Sequence, residues 1–122
     1  MNRAKILIVD DESAIRELLA EFLTKENYEV QGAANGKAAL ELCKQHSFAL
    51  VLTDDKMPGG GANKFLTGLR QLSQIPVILM TGHSDISEEQ KAGFAGVFIK
   101  PFPPRDLVAA INSILKSNGA RD

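Results

Sequence analysis

An α/β fold, with a five-stranded parallel sheet and helices on both faces in a (βα)5 arrangement, is what three observations predict for this 122-residue sequence. Four short, unbroken apolar runs have the length and composition of strands buried on both faces. Segments with helical apolar spacing lie between them. The two kinds of segment alternate along the whole chain, and strands joined by helical crossovers lie parallel.

The first strand is Ile6-Leu7-Ile8-Val9. Ile15, Leu18, Leu19, Phe22 and Leu23 follow at i, i+3, i+4, i+7 and i+8, the apolar stripe of an amphipathic helix. Tyr28-Glu29-Val30 alternates in polarity and predicts an edge strand. After Asn35-Gly36, the residues Ala39, Leu40 and Cys43 mark a second helix, and Ala49 to Leu52 form the third strand. Phe65, Leu66, Leu69 and Leu72 predict a third helix, and Val77 to Met80 a fourth strand. Ser87 to Phe94 predicts a short, weakly patterned fourth helix before the strand Val97-Phe98-Ile99. Leu107, Val108, Ile111, Ile114 and Leu115 carry the last helix. Right-handed crossovers leave few topologies; the flavodoxin-like order 2-1-3-4-5 is the usual five-stranded one, though another open order fits the pattern nearly as well.

Residues 1–122 read as a single domain without linker or repeat. Lys plus Arg number 14 and Asp plus Glu 15, a net charge of −1, which argues against the basic surface of a nucleic-acid binder. Cys43 is the single cysteine, so neither an internal disulfide nor a cysteine-based zinc site is available; its place on an apolar stripe makes it a small buried hydrophobe. His46 reads as a surface residue near a helix end. The apolar run after the first five residues is too short for a signal peptide or a membrane span, which predicts a cytoplasmic chain with no membrane contact.

In open parallel sheets the chemistry sits beyond the C-terminal ends of the strands. Here those ends carry Asp10-Asp11-Glu12, Thr53-Asp54-Asp55 (followed by Lys56-Met57-Pro58 and Gly59 to Gly61), Thr81-Gly82, and Lys100-Pro101-Phe102. Taken singly each is ordinary: a helix cap, a turn, a solvated lysine. Together they are harder to dismiss. Clustered carboxylates repel unless a cation shares their site, and hard oxygen donors suit Mg²⁺ or Mn²⁺. A lysine and a threonine hydroxyl offer phosphate oxygens a point charge and a hydrogen-bond donor. An aspartate between metal and lysine is placed to accept a phosphoryl group, so the set points to phosphoryl transfer onto a carboxylate. The glycine triplet is not a P-loop, since no Gly-Lys-Ser/Thr completes it.

These motifs, in this order and at about this spacing, resemble the response-regulator receiver domain of bacterial two-component signalling over nearly the whole chain. The resemblance implies that Asp54 is the phosphoacceptor and Asp55 a variable position. It implies that Asp11 binds Mg²⁺ directly, that Asp10 acts mainly through a metal-bound water, and that Asp54 and the backbone carbonyl of Lys56 complete the protein ligands. Thr81 would hydrogen-bond the phosphoryl oxygen, Lys100 would pair with it, and the Gly82 backbone N–H would face it. Lys56 and His83 would control water access and the phosphoryl lifetime.

The implied donor is a histidine kinase or histidine phosphotransfer protein, and the implied recipient a downstream protein or an output domain. Direct nucleic-acid binding is not expected, and the chain would be a monomer or a weak phosphorylation-dependent dimer. It would not be an enzyme beyond Mg²⁺-dependent self-phosphorylation and slow autodephosphorylation. Two other classes compete. A phosphohydrolase of the haloacid-dehalogenase type wants a second aspartate two residues after the first, where this chain has Lys56. A pseudo-receiver would be an interaction module that never carries phosphate.

Three departures from the family pattern stand out. Val97 occupies the usual aromatic position three residues before the lysine, and alternation turns Phe98 to the other face. Lys100 follows Thr81 by only 19 positions, which shortens the fourth helix and weakens dimerisation through it. Gly59 to Gly61 replace the usual acidic and apolar residues, predicting a mobile loop.

Overall fold

The computed structural model describes residues 3–57 and 59–119; Pro58 of the Met57-Pro58 pair lies outside them. Its elements run β1 (Lys5–Val9), α1 (Ser13–Lys25), β2 (Glu29–Ala33), α2 (Gly36–Gln45), β3 (Leu50–Asp54), α3 (Gly61–Leu69), β4 (Val77–Thr81), α4 (Glu88–Lys91), β5 (Gly96–Ile99) and α5 (Pro104–Gly119). The sheet order is β2-β1-β3-β4-β5 with every neighbouring pair parallel. That is the order 2-1-3-4-5, and its reversal between β1 and β3 puts a crevice at their C-terminal ends.

Alternation along each strand builds two cores. Ile6, Ile8, Leu50, Leu52, Ile78 and Met80 face Leu19 and Leu23 of α1 and Leu107 and Ile111 of α5. Leu7, Val9, Val51 and Val77 face Ala39 of α2 and Phe65, Leu66 and Leu69 of α3. The central strands are buried on both sides, which is why they read as unbroken apolar runs. Each fully buried Leu or Ile stabilises the fold by about 1.5–3 kcal/mol relative to exposure.

Several element details differ from the sequence reading. Leu18 fits the apolar spacing of α1, yet it is 57% exposed, because the buried stripe is narrower than that spacing implies. α3 ends at Leu69, so Leu72 falls in the turn beyond it and is 45% exposed. The Arg70 guanidinium holds that turn by donating to the carbonyls of Ser73 and Ile75. The edge strand β2 starts one residue later and runs further, to Ala33. Tyr28 packs into the α1/α5 core instead, and its hydroxyl donates to Asn112 Oδ1. Cys43 is half-buried rather than fully buried, against the α2/α3 core.

The fourth helix is a single turn, as short as its sequence suggests. Ser87 and Gln90 form a reciprocal capping box at its start, and Gly93 (φ +90°) ends it by turning the chain into β5. Gly59, Gly60 and Gly61 have φ of +92°, +130° and +77°. The triplet therefore serves a turn that side-chain-bearing residues rarely adopt. A Cβ at Gly61 would lie 3.0 Å from the Asp55 carbonyl, so that position is closed sterically as well.

Candidate functional site

Strand register assembles the rim. β1 and β3 are matched through Val9 and Thr53, so the next step sets Asp10 beside Asp54, on the face that carries Ile8 and Leu52. Asp10 is fully buried and Asp54 nearly so. Asp11 is exposed at the start of the loop. Carboxylate oxygens of Asp10, Asp11 and Asp54 all lie within 4.8 Å of one another.

Asp10 Oδ1 accepts from the Glu12 backbone N–H at 2.9 Å, and the Asp10 carbonyl accepts from Arg16 at 2.6 Å. Asp10 Oδ2 is buried with no hydrogen-bond partner among the described residues. Burial pushes the Asp10 carboxyl above its usual value; the Glu12 N–H opposes this, and the nearby Asp54 charge reinforces it. A buried oxygen without a donor, inside a group of three carboxylates, is the arrangement a hard divalent cation satisfies, so the residues present fit Mg²⁺ or Mn²⁺.

Lys100 arrives from the next strand but one. Its backbone N–H donates to the Thr81 carbonyl at 2.7 Å, one step past the Thr81–Ile99 pair, and the Lys100–Pro101 peptide is cis. Its side chain reaches back across the crevice, where Nζ donates to Asp54 Oδ1 at 2.6 Å and lies 4.0 Å from Asp10 Oδ2. Burial alone would lower the ammonium's pKa, but the hydrogen bond to Asp54 and the charges of Asp54, Asp10 and Glu12 raise it on balance.

Thr81 ends β4 fully buried. Its hydroxyl donates to Asp55 Oδ2 at 3.0 Å and accepts from the His83 backbone N–H at 3.1 Å. Gly82, Lys56 and His83 are exposed around the crevice. Met57 is buried in the α2/α3 core and anchors the loop that leaves β3. Val97 pairs with Leu79, whereas Phe98 lies on the opposite face against Phe102, ring centroids 5.2 Å apart. The rim thus brings Asp10, Asp11, Asp54 and Lys100 together, with Thr81 engaged by Asp55 one residue further along β3's exit. The resemblance implies only a variable position for Asp55. The signal that finds it is the offset of the β3–β4 ladder: Asp54 pairs with Met80, so Asp55 meets Thr81.

A family model described as the response regulator receiver domain matches residues 6–112. The chain belongs to the receiver-domain family. The receiver is 35% identical over 115 residues to the transcriptional regulatory protein SrrA of Staphylococcus aureus, an alignment covering 92% of this chain and 48% of that protein. It thus spans about half the length of the curated relatives it matches. Among solved structures it is similar to the response regulator TrrA of Thermotoga maritima in complex with Mg²⁺-BeF, with 32% identity, a TM-score of 0.85, and coverage of 92% of this chain and 99% of that one. A CheY-like receiver domain protein of Methanospirillum hungatei superposes with a TM-score of 0.89 at 30% identity, covering 99% of this receiver and all of that chain. Family and fold place the chain in two-component signalling. Among the described residues, no helix is long and apolar enough to cross a membrane.

Proposed function

We propose that this receiver accepts a phosphoryl group on Asp54 in a Mg²⁺-dependent reaction and relays the change to a partner protein. The observation that carries the reading is the Lys100 ammonium 2.6 Å from Asp54 Oδ1, beside a buried Asp10 oxygen that accepts no hydrogen bond among the described residues. The TrrA relative, solved with Mg²⁺-BeF, supports it. Asp10, Asp11, Asp54 and the Lys56 carbonyl would hold the cation. When bound, Mg²⁺ or Mn²⁺ supplies positive charge that offsets repulsion between a carboxylate and an incoming phosphoryl anion.

The chain's own groups do the rest. An Asp54 oxygen attacks the phosphorus in line and the donor's leaving group departs, in a loose transition state governed by positioning and charge. Lys100 holds Asp54 and stays protonated, so its charge stabilises the oxygens that gather negative charge. Thr81 and the Gly82 N–H offer donors to the bound phosphoryl group, which adds roughly −1.5 to −2 charges. That local change biases a two-state equilibrium read by the partner.

The donor is a histidine kinase or a histidine phosphotransfer protein. The exposed Leu18 on α1, the helix that follows Asp10 and Asp11, suits docking of such a donor. The recipient is a downstream protein or an output domain, reached in the cytoplasm without nucleic-acid contact by this domain. Substrate turnover is not part of the function, since Lys56 stands where a hydrolase needs its acid.

Incubation with Mg²⁺ and acetyl phosphate, followed by intact mass, tests the reading. One added phosphoryl group in the wild type, absent in Asp54→Asn, supports it. No adduct in either favours a pseudo-receiver, and continuous release of phosphate favours a hydrolase.

A further inference from the structure

We propose that Asp55 is a positioning residue that holds the Thr81 hydroxyl in the unphosphorylated state and must give it up when a phosphoryl group arrives on Asp54. The inference rests on the phosphoacceptor reading above and deepens it.

The backbone fixes Asp55 from two sides. Its N–H donates to the Met80 carbonyl at 2.9 Å, extending the β3–β4 ladder, and its carbonyl accepts from Ala62 N–H at 2.9 Å. Alternation then turns the side chains of Asp54 and Asp55 to opposite faces. Asp54 meets Lys100 at 2.6 Å; Asp55 meets Thr81 at 3.0 Å. Two adjacent carboxylates are thereby committed to two different groups of the site.

The hydroxyl of Thr81 has one proton. In this structure the proton goes to Asp55 Oδ2, while an oxygen lone pair accepts from His83 N–H. Thr81 is fully buried, so solvent does not compete with the half-buried Asp55 for the hydroxyl proton. Donation to Asp55 and donation to a phosphoryl oxygen on Asp54 are mutually exclusive. A hydrogen bond to a carboxylate is stronger than one between neutral groups, so the competition has weight. The residue after the phosphoacceptor accordingly helps set how far the unliganded protein favours its off state, and removing it should favour the on state.

Plain charge repulsion between Asp55 and the phosphoryl anion predicts the same sign, so the test must separate the two. Binding of beryllofluoride with Mg²⁺ is measured by calorimetry for wild type, Asp55→Ala, Thr81→Val and the double variant, with thermal unfolding to confirm that each is folded. Asp55→Ala is expected to tighten binding about tenfold, equivalent to about 1.4 kcal/mol. In the Thr81→Val background, which keeps the shape but lacks the hydroxyl, the same change should alter binding less than twofold. Equal tightening in both backgrounds, or none in either, overturns the proposal.

A second readout needs no phosphoryl mimic. Side-chain couplings of Thr81 in the metal-free protein should indicate a single rotamer in the wild type and averaging in Asp55→Ala; unchanged couplings overturn the proposal. If the wild type itself fails to bind beryllofluoride, the phosphoacceptor reading fails and this proposal with it. Wild-type binding without an Asp55 effect removes only the role of Asp55.

Discussion

Lys100 and Asp54 form a charge-assisted hydrogen bond, 2.6 Å from Nζ to Oδ1, between strands that are not neighbours in the sheet. The contact spans β4 and joins the cation to the carboxylate that would react. It places positive charge at Asp54 before any ligand arrives, and so prepares the site for an anion.

Removing that charge should slow chemistry more than it unfolds the protein. In Lys100→Ala, phosphorylation of Asp54 by acetyl phosphate is expected to fall by roughly 10²–10³-fold, the range for loss of one well-placed electrostatic donor. The Lys100 ammonium is raised above its ordinary 10.5, so its stabilising contribution is complete at neutral pH and is lost only as alkaline pH passes through its folded-state value. Initial rates from intact mass at pH 7 check the first statement, and pH-dependent unfolding of wild type and variant the second.

Asp10 works in the opposite sense. Burial raises its carboxyl above the ordinary 3.8, so the stability it contributes is complete below that value and is lost as pH rises through its folded-state value. Once ionised, the buried, partly unsatisfied carboxylate is therefore a cost to the metal-free fold. Asp10→Asn should raise the metal-free Tm at pH 7, by about 4 °C for each kcal/mol relieved. Added Mg²⁺ should raise the Tm of the wild type, less so at acidic pH, and leave that of Asp10→Asn nearly unchanged. Differential scanning calorimetry across pH, with and without Mg²⁺, reads all three.

The glycine triplet separates backbone strain from crowding. Gly59 and Gly61 both have positive φ, but a Cβ at Gly59 meets open space whereas one at Gly61 meets the Asp55 carbonyl at 3.0 Å. Gly59→Ala should destabilise by about 1 kcal/mol and Gly61→Ala by about 2–3 kcal/mol, measured by urea unfolding. Equal losses would show that crowding against Asp55 has no weight.

Lys56, in the loop after β3, and His83, in the loop after β4, are both exposed. Substituting alanine for either should change stability by less than about 0.5 kcal/mol. The half-life of phosphorylated Asp54 should change several-fold if these side chains govern the approach of water. Time courses of phosphate loss, set beside Tm values, decide between the two effects.

Much of this is legible in the sequence. Ile6 to Val9, Leu50 to Leu52 and Val77 to Met80 are buried on both faces, and double burial leaves an unbroken apolar run that periodicity detects. Charged and hydroxyl residues directly after such runs are carried to one edge by parallel pairing alone, so Asp10, Asp11, Asp54, Thr81 and Lys100 could be read as one set. Amphipathic stripes were less informative at their margins. Leu18 and Leu72 satisfy the spacing but face solvent, because one helix position turns the chain by about 100° and a residue at the border of the stripe can lie on either side.

The strand order and the register were decided only in three dimensions. Several open orders accommodate the same alternating pattern, and sequence holds no record of which backbone groups pair across space. Register turned Asp55 from a neighbour of the reactive aspartate into the acceptor for Thr81, and set Asp10 rather than Asp11 in the buried position. Composition and order along the chain determined which chemical groups reach the rim. Hydrogen bonding between strands far apart in sequence determined which of those groups touch, because contact depends on ångström-scale offsets that local preferences do not encode.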